Sequence, residues 1–519
     1  WNKPILPSSA STVLIPVTTN DPSITTPVTI NHLSIDSGAS LTIEPAGNLT
    51  VNGNLINNQG VDGLIISSSE SGTGSLITSS ANVEATSQRY IKGEPESWHM
   101  LSSPMVDQAI AGDFTPSGTY GDGTGYDFYT WHEPDTSWVY LLNTDFPPTW
   151  AEANGSNNFL PGRGYLVSYQ AENPTLSFQG VLNSGSVTIP ITKSDNAGDP
   201  FGANLIGNPY PSAIDWKSNS GWGRTDLVPS GGGYDMWMWN DTANNYGVFN
   251  SASPNEEGTL GVTRFISANQ GFFVLASQNG SLSFDHSLKT HQNAGNWLKS
   301  TKMFKDIIFL TVSSDTKNGS DEVMIGMEPC ETSSGTPKRF SFVPKAPSLF
   351  IPLNGQFFSA INGNNIEKNP VIPVSFKPGN NGVFKITSSF EIEFFDFVYL
   401  IDKKTGIQHN LKKNPIYEFE ATCNDNPARF ILQLKEGYYP DPHDEIPARI
   451  FTSQKELIVD LTMISNKLSF QLLDITGRIW IQKDLAGGTE YRFNLPVHHG
   501  VCIVTLHGTQ GTLQKKLAF

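Results

Sequence analysis

A chain that carries the same four sequence blocks twice, in one order, has few ways to fold. GYDFYTW (125–131) aligns with GYDMWMW (233–239) at an offset of 108. FLPGRGYLV aligns with FISANQGFFV, placing Gly164 on Gly271 at an offset of 107. Phe178 falls on Phe284 at 106, and HMLSSPM on NLIGNPY, with Pro104 on Pro209, at 105. The blocks are rich in alternating apolar and aromatic residues and are separated by polar, glycine-containing loops, the pattern of short strands joined by turns. Residues 98–290 are therefore expected to form two related β-modules packed as a pseudo-symmetric pair.

The rest of the chain reads as β structure too. The 519 residues include Gly 47 and Pro 34, a turn-rich composition, and the length calls for several domains. Leu33, Leu41 and Leu49 recur every eight residues, each followed two residues on by Ile35, Ile43 and Val51. That spacing predicts stacked short rungs, a small β-solenoid or meander, whose open edges need a neighbour to cover them. Between 300 and 436, runs such as IIFLTV, LFIPL, VIPVSF and RFILQL have the length of sandwich strands. GYYPDPHDEIP then places three prolines within eleven residues, an extended linker. The expected organisation is all-β and multi-domain: a short β-repeat region over 1–90, module copies over 91–200 and 201–297, a β-sandwich over 298–436, a linker over 437–446 and an Ig-like C-terminal β-sandwich over 447–519.

Charge and chemistry exclude several function classes. The net charge of −16 argues against nucleic acid and anionic membrane surfaces as partners. No apolar run reaches the roughly 18 residues of a membrane span. The start at Trp1, without Met or a signal peptide, reads as a processed form or a fragment of a longer precursor. HExxH, Cys-x-x-Cys, Walker and GxSxG patterns are absent from the sequence, so no catalytic residue, metal or cofactor is assigned. GDGTGY (121–126) and SGGGYD (230–235) lack the lysine of a phosphate loop and read as turns. His498 and His499 sit in a turn without other donors. Asp127 and Asp235 hold equivalent places in the two copies, which predicts a structural job such as satisfying turn amides. Glu391 and Glu393, two apart on one strand, read as a solvated face rather than a glycosidase pair. SDTKNGSDE (314–322) clusters oxygen ligands but reads as a polar turn rather than a calcium loop. Cys330 and Cys423 can pair only if their strands are adjacent, and Cys502 reads as a buried small residue.

Nine of the eleven tryptophans lie between 98 and 297. Trp131, Trp138, Trp237 and Trp239 belong to the duplicated strand and read chiefly as core. Trp150, Trp216 and Trp222 lie nearer loops and are the candidates for stacking on surface glycans.

The C-terminal stretch is the segment whose role can be named. Period-two alternation at Leu457, Val459 and Leu461, and at Leu468, Phe470 and Leu472, predicts half-buried strands. Asp474-Ile475-Thr476-Gly477-Arg478 places a turn between two of them. Leu495-Pro496, Gly500-Val501, Ile503-Val504 and Lys515-Lys516 follow in order. This stretch resembles the type A C-terminal sorting domain of the type IX secretion system of Bacteroidota, with Cys502 standing where that family usually has an aromatic residue. The body ahead of it resembles uncharacterised Bacteroidota surface proteins that carry this tail, through WHMLSSP, GRGY, GNPYPSAIDW and LIDKKTG. Asp241-Thr242-Ala243 resembles the O-glycosylation motif of secreted proteins of that group. The resemblance implies cargo exported through the periplasm to the cell surface or released, with the translocon and its outer-membrane shuttle protein as partners. An adhesive or structural, non-catalytic role is the expectation; a carbohydrate-binding pair and a secreted hydrolase are the alternatives. The tail holds eight basic and five acidic residues, which leaves −19 on the body.

Overall fold

In the computed structural model, the apolar alternation near the N-terminus closes a three-sided parallel β-solenoid. The structure describes residues 7–117, 125–194, 202–292, 306–314, 318–327, 334–353, 355–362, 370–391, 395–435, 448–453, 456–462, 464, 466–474, 478–494, 501–508 and 511–518. The solenoid turn is longer than the eight-residue spacing suggests. Val13, Leu33 and Leu55 stack on one side, Ile24, Ile43 and Ile66 on the second, and Ile30, Val51 and Thr78 on the third, all in parallel register. The three segments around Leu33, Leu41 and Leu49 are thus the three sides of one rung, not three stacked rungs. Period-two alternation sends both apolar residues of each segment inward, and the polar turns between them are the corners.

The last solenoid side is covered by Glu84–Tyr90, which pairs in parallel with Leu64–Ile66 and antiparallel with Thr175–Val181 of the first module copy. One hydrophobic core therefore runs from Val13 and Ile35 to Phe128 and Phe178. The solenoid and the first copy are not separate folding cores.

The two copies share a topology. The first supplies β1 (Trp98–Leu101), β2 (Tyr126–His132), β3 (Ser137–Tyr140) and β4 (Tyr165–Tyr169), ordered β1-β4-β2-β3. The second supplies β5 (Ala203–Gly207), β6 (Gly233–Asn240), β7 (Asn245–Asn250) and β8 (Gly271–Leu275), ordered β5-β8-β6 with β7 on β6. Registers match as well: Met100 pairs with Leu166 as Leu205 does with Phe273, and Tyr129 pairs with Leu166 as Trp237 does with Phe273.

The chain divides into two compact units, Trp1–Thr242 with Gly247–Ser300, and Ala243–Tyr246 with Thr301–Phe519. In the second, an eleven-stranded sheet curls on itself around Leu310, Val374 and Leu432. Its opposite ends meet where Phe419 packs 4.9 Å from Phe430 and the Tyr417 hydroxyl donates to Asp402 at 2.9 Å. Asp402 belongs to the LIDKKTG segment and takes a bidentate pair of bonds from buried Arg429 at 2.9 and 2.7 Å. That motif is thus a structural lock of the sandwich.

The C-terminal segment is a second sandwich. A three-stranded sheet (Arg449–Ser453, Glu456–Asp460, Glu490–Asn494) faces a four-stranded one (Leu468–Asp474, Ile479–Leu485, Val501–Gly508, Gly511–Ala518). They enclose Leu457, Val459, Phe470, Leu472, Val504 and Leu506. Cys502 lies fully buried among them, where burial pushes its thiol pKa up. Among the described residues, no helix is long and apolar enough to cross a membrane.

Candidate functional site

The two module copies meet across a pseudo-twofold seam, and nearly every contact there occurs twice. Leu101 bridges Gln270, and its counterpart Ile206 bridges Arg163, the counterpart of Gln270. The Ser102 N–H donates to Asn269 O at 3.1 Å, and the Gly207 N–H donates to Gly162 O at 2.8 Å. Asn269 and Gly162 both adopt left-handed backbone, at φ 58° and 79°, the conformation that Asn and Gly tolerate best. The Trp131 indole N–H crosses the seam to Ala203 O at 2.7 Å, and that of Trp239 crosses back to Trp98 O at 2.8 Å. WHMLSSP, GRGY and GNPY are therefore the residues that build this seam.

The seam is asymmetric at two places. On its axis, Ser102 points its hydroxyl at Asn208 O (2.8 Å) and Gln270 O (3.2 Å), while the equivalent residue is Gly207. A Cβ on Gly207 would overlap Ser102 Cβ and lie 2.6 Å from Arg163 O, so only one side chain fits.

The second asymmetry concerns charge. Glu133 and Asp241 directly follow the aromatic strands β2 and β6, at the same offset of 108. Glu133 is buried and accepts the Ser194 N–H, the Ser194 hydroxyl and the Gly202 N–H, each at 2.9 Å. Burial works to raise its pKa, but these donors bring it below the usual carboxylate range. Asp241 instead shares its surroundings with Arg89 and Lys92, and burial holds its pKa up against their attraction. Beside it lies a cavity of about 50 Å³, lined by Arg89, His99, Trp239, Asp241, Thr263 and Gln270, among others. Arg89 is 5% exposed and donates to Gln270 Oε1 at 3.3 Å. Burial lowers the Arg89 pKa to about 9, with Asp241 pulling it back up. His99 is 7% exposed, and its Nε2 has no hydrogen-bond partner among the described residues. Burial first, and then the Arg89 charge, bring its pKa down to about 3. The counterpart of His99 is Asn204, whose amide is fully used: Nδ2 donates to Thr192 O and Gly202 O at 2.8 Å, and Oδ1 accepts the Thr192 N–H at 3.0 Å.

The glycan-stacking expectation for the loop tryptophans is corrected here. Trp150 is 3% exposed and packs on Phe128 and Tyr165, with its N–H given to Ser156 O. Trp216 is fully buried against Phe272 and Trp222. Trp222 is half-buried, and its N–H is spent on Asp215 O at 2.8 Å. Trp150 opens the short helix Trp150–Asn154 and Trp222 a two-residue strand, and these rings, like that of Trp216, pack into the adjacent cores rather than forming platforms.

The paired aspartates serve side chains. Asp235 accepts from Asn250 Nδ2 at 2.7 Å, and Asp127 accepts from the Tyr129 hydroxyl at 3.2 Å. Within the 314–322 cluster, Asp321 is fully buried in an ion pair with Lys338, also fully buried, and accepts the Leu349 N–H. Residues 315–317, Glu393, Cys330, His498 and His499 lie outside the described residues, as does most of GDGTGY. Cys423 is exposed. No group of three or more His, Cys, Asp or Glu side chains is placed to hold a metal among the described residues. Ser75 Oγ lies 2.8 Å from His291 Nδ1, but His291 Nε2 faces Thr50 Oγ1 at 2.8 Å rather than a carboxylate, and Ser75 is fully buried. That arrangement fastens the solenoid to Thr290–His291 instead of activating a nucleophile.

In the tail, the Asp474 carboxylate accepts the Arg478 N–H at 3.0 Å, and the Asp474 N–H donates to Arg478 O at 3.0 Å. The outer residues of the Asp-Ile-Thr-Gly-Arg motif thus close its hairpin. Thr476, Gly477, Leu495, Pro496 and Gly500 lie outside the described residues; Val501 opens a central strand, and Lys515 and Lys516 pair with Val504 and Ile503.

A family model described as a domain of unknown function (DUF8693) matches residues 1–434. The chain belongs to this family. The DUF8693 region takes in the solenoid, both module copies and the eleven-stranded sheet, and ends at Leu434, just ahead of the proline-rich segment. The tail lies beyond it. No curated protein matches the chain.

Proposed function

We propose that this protein is cargo of a type IX secretion system, addressed by residues 447–519 and displayed at, or released from, the cell surface. The observation that supports this most is the tail itself. The motifs Asp474–Arg478, Leu495-Pro496, Gly500-Val501 and Lys515-Lys516 follow one another in the sequence, beyond the end of the DUF8693 match, and the described part of this segment forms a sandwich with its own hydrophobic core. A carrier that must recognise many passengers needs such a module, whose fold does not depend on the passenger. Its recognition partners are the translocon and the outer-membrane shuttle protein. The body is the displayed part, with a non-catalytic adhesive or structural role; its tryptophans support that role by building cores and the seam. Thr242, exposed in the turn after Asp241, fits acceptance of an O-glycan in the Asp-Thr-Ala motif.

The test is transplantation. Residues 447–519 fused to an unrelated periplasmic reporter carry it to the surface or medium of a Bacteroidota host, and the chain lacking them accumulates in the periplasm. Surface delivery of the truncated chain would refute the assignment.

A further inference from the structure

The seam cavity is where the duplication stops being symmetric, and its chemistry is that of a recognition site. In the other half of the seam, Glu133 Oε1 accepts three hydrogen bonds and the Asn204 amide is fully used. Here the equivalent positions carry Asp241 and His99, joined by Arg89, around about 50 Å³ of space. One water needs roughly 10–15 Å³ of such space, so the cavity suits a molecule of about three to five non-hydrogen atoms. Its polar wall carries the Arg89 guanidinium and the His99 ring, while the Thr263 hydroxyl is engaged with Phe265 O at 3.4 Å. Gln270 orients the guanidinium through the bond to its Oε1 and spends its own N–H on Gly271 O at 2.8 Å. Asp241 offsets the Arg89 charge, and the exposed Lys92, which also acts on Asp241, is itself paired with Glu70 at 3.1 Å. Trp239, Met100 and Phe265 supply an apolar wall.

We infer that this cavity binds a small carboxylate, the planar guanidinium of Arg89 and the unpartnered Nε2 of His99 engaging its two oxygens and the Trp239–Phe265 side its short apolar stem. A guanidinium fork matches a carboxylate in two places at once, which a point charge cannot do. Neutral imidazole carries one N–H, and with Nε2 protonated it donates to the ligand without adding a second buried charge.

The test uses the full chain and acetate as probe, by calorimetry and thermal shift against sodium chloride at equal ionic strength. Ethylammonium chloride serves as a cation of similar size. A saturable response to acetate, with none to ethylammonium, is expected. Arg89→Lys weakens it about tenfold or more, as loss of a charge-assisted hydrogen bond does. His99→Asn, which installs the residue of the other copy, abolishes the response. Acetate behaving as chloride does would overturn the proposal, the cavity then holding water only. So would folded variants that bind acetate like the parent, which would place binding elsewhere. If Arg89→Lys fails to fold, His99→Asn decides alone, because Asn is accommodated at the matching position of the same module.

Discussion

His99 and Asn204 occupy one place in two copies of a module, and only the histidine can take a proton. Burial, then Arg89, lower its pKa to about 3, so the folded protein keeps it neutral while the unfolded chain binds a proton below about 6.5. The unfolded state therefore holds more protons between those values. Stability falls as pH drops through that window, and this contribution is gone below about 3. His291, lowered to about 4 by burial, acts in the same direction. His99→Asn removes one of these titrations. The stability difference between parent and variant, measured by urea unfolding, is expected to shift by at least about 1.4 kcal/mol in the variant's favour from pH 7 to pH 4, the equivalent of one pKa unit. A difference independent of pH would show that His99 titrates as an exposed histidine does. A buried charge elsewhere gives a sharper mutational result. Lys338 and Asp321 are both fully buried and pair with each other, and burial raises the Asp321 pKa despite the nearby ammonium. Asp321→Ala strands that ammonium and is expected to cost about 3–5 kcal/mol in urea unfolding, whereas Lys338→Met with Asp321→Leu costs much less. Neither site was legible beforehand. Asp321 lay in a polar run that reads as a turn, and the sequence does not say that Lys338, seventeen residues on, points at it.

Among the elements, the likeness of the two duplicated modules could be read from the sequence because the blocks keep their spacing, though not the strand order itself. Offsets of 105 for β1 and 107 for β4 reproduce each paired residue of β5 and β8. The solenoid was legible in kind but not in period. Leu33, Leu41 and Leu49 recur at the spacing of sides around a rung, and the rung repeat itself, from Val13 to Leu33 to Leu55, is not constant enough to stand out. The exposure of Trp150 and Trp216 was misjudged for a related reason: proximity to a loop in sequence does not say which way a ring points. The sequence also hides which residue sits on the seam axis, and that yields a prediction. Gly207→Ala forces a Cβ into Ser102 and the Arg163 carbonyl, so it is expected to destabilise by about 1–3 kcal/mol or more, the usual range for overpacking. Adding Ser102→Gly frees the axis, and Gly207→Ser with Ser102→Gly moves the hydroxyl to the other copy. Near-parental stability of that swapped pair by thermal unfolding is the expected result. If the swap is as unstable as Gly207→Ala alone, steric competition at the axis is not what requires the glycine.

For the molecule as a whole, the expectation that a short solenoid needs a neighbour was sound, but it did not reveal that cover and solenoid share one core. Ile35, Phe128 and Phe178 belong to a single cluster, so a boundary drawn at residue 90 from the repeat and the duplication cuts through packed side chains. The boundary near 435–447 has a different character. Three prolines, the end of the DUF8693 match at Leu434 and the separate cluster around Phe470 and Val504 all fall at the same place. Charge changes there too, from −19 ahead of residue 447 to a net excess of three basic residues after it. If the tail is an address that any passenger can carry, its stability cannot depend on this body. Residues 1–434 and 447–519, expressed separately, are therefore each expected to fold, with calorimetric transitions that together reproduce those of the full chain. Small sandwiches bury a lower fraction of their surface than large ones, so the tail's transition should be the weaker and should survive unchanged when the body is removed. A tail that unfolds without the body would mean that the two share a core, and an address built that way could not be transplanted.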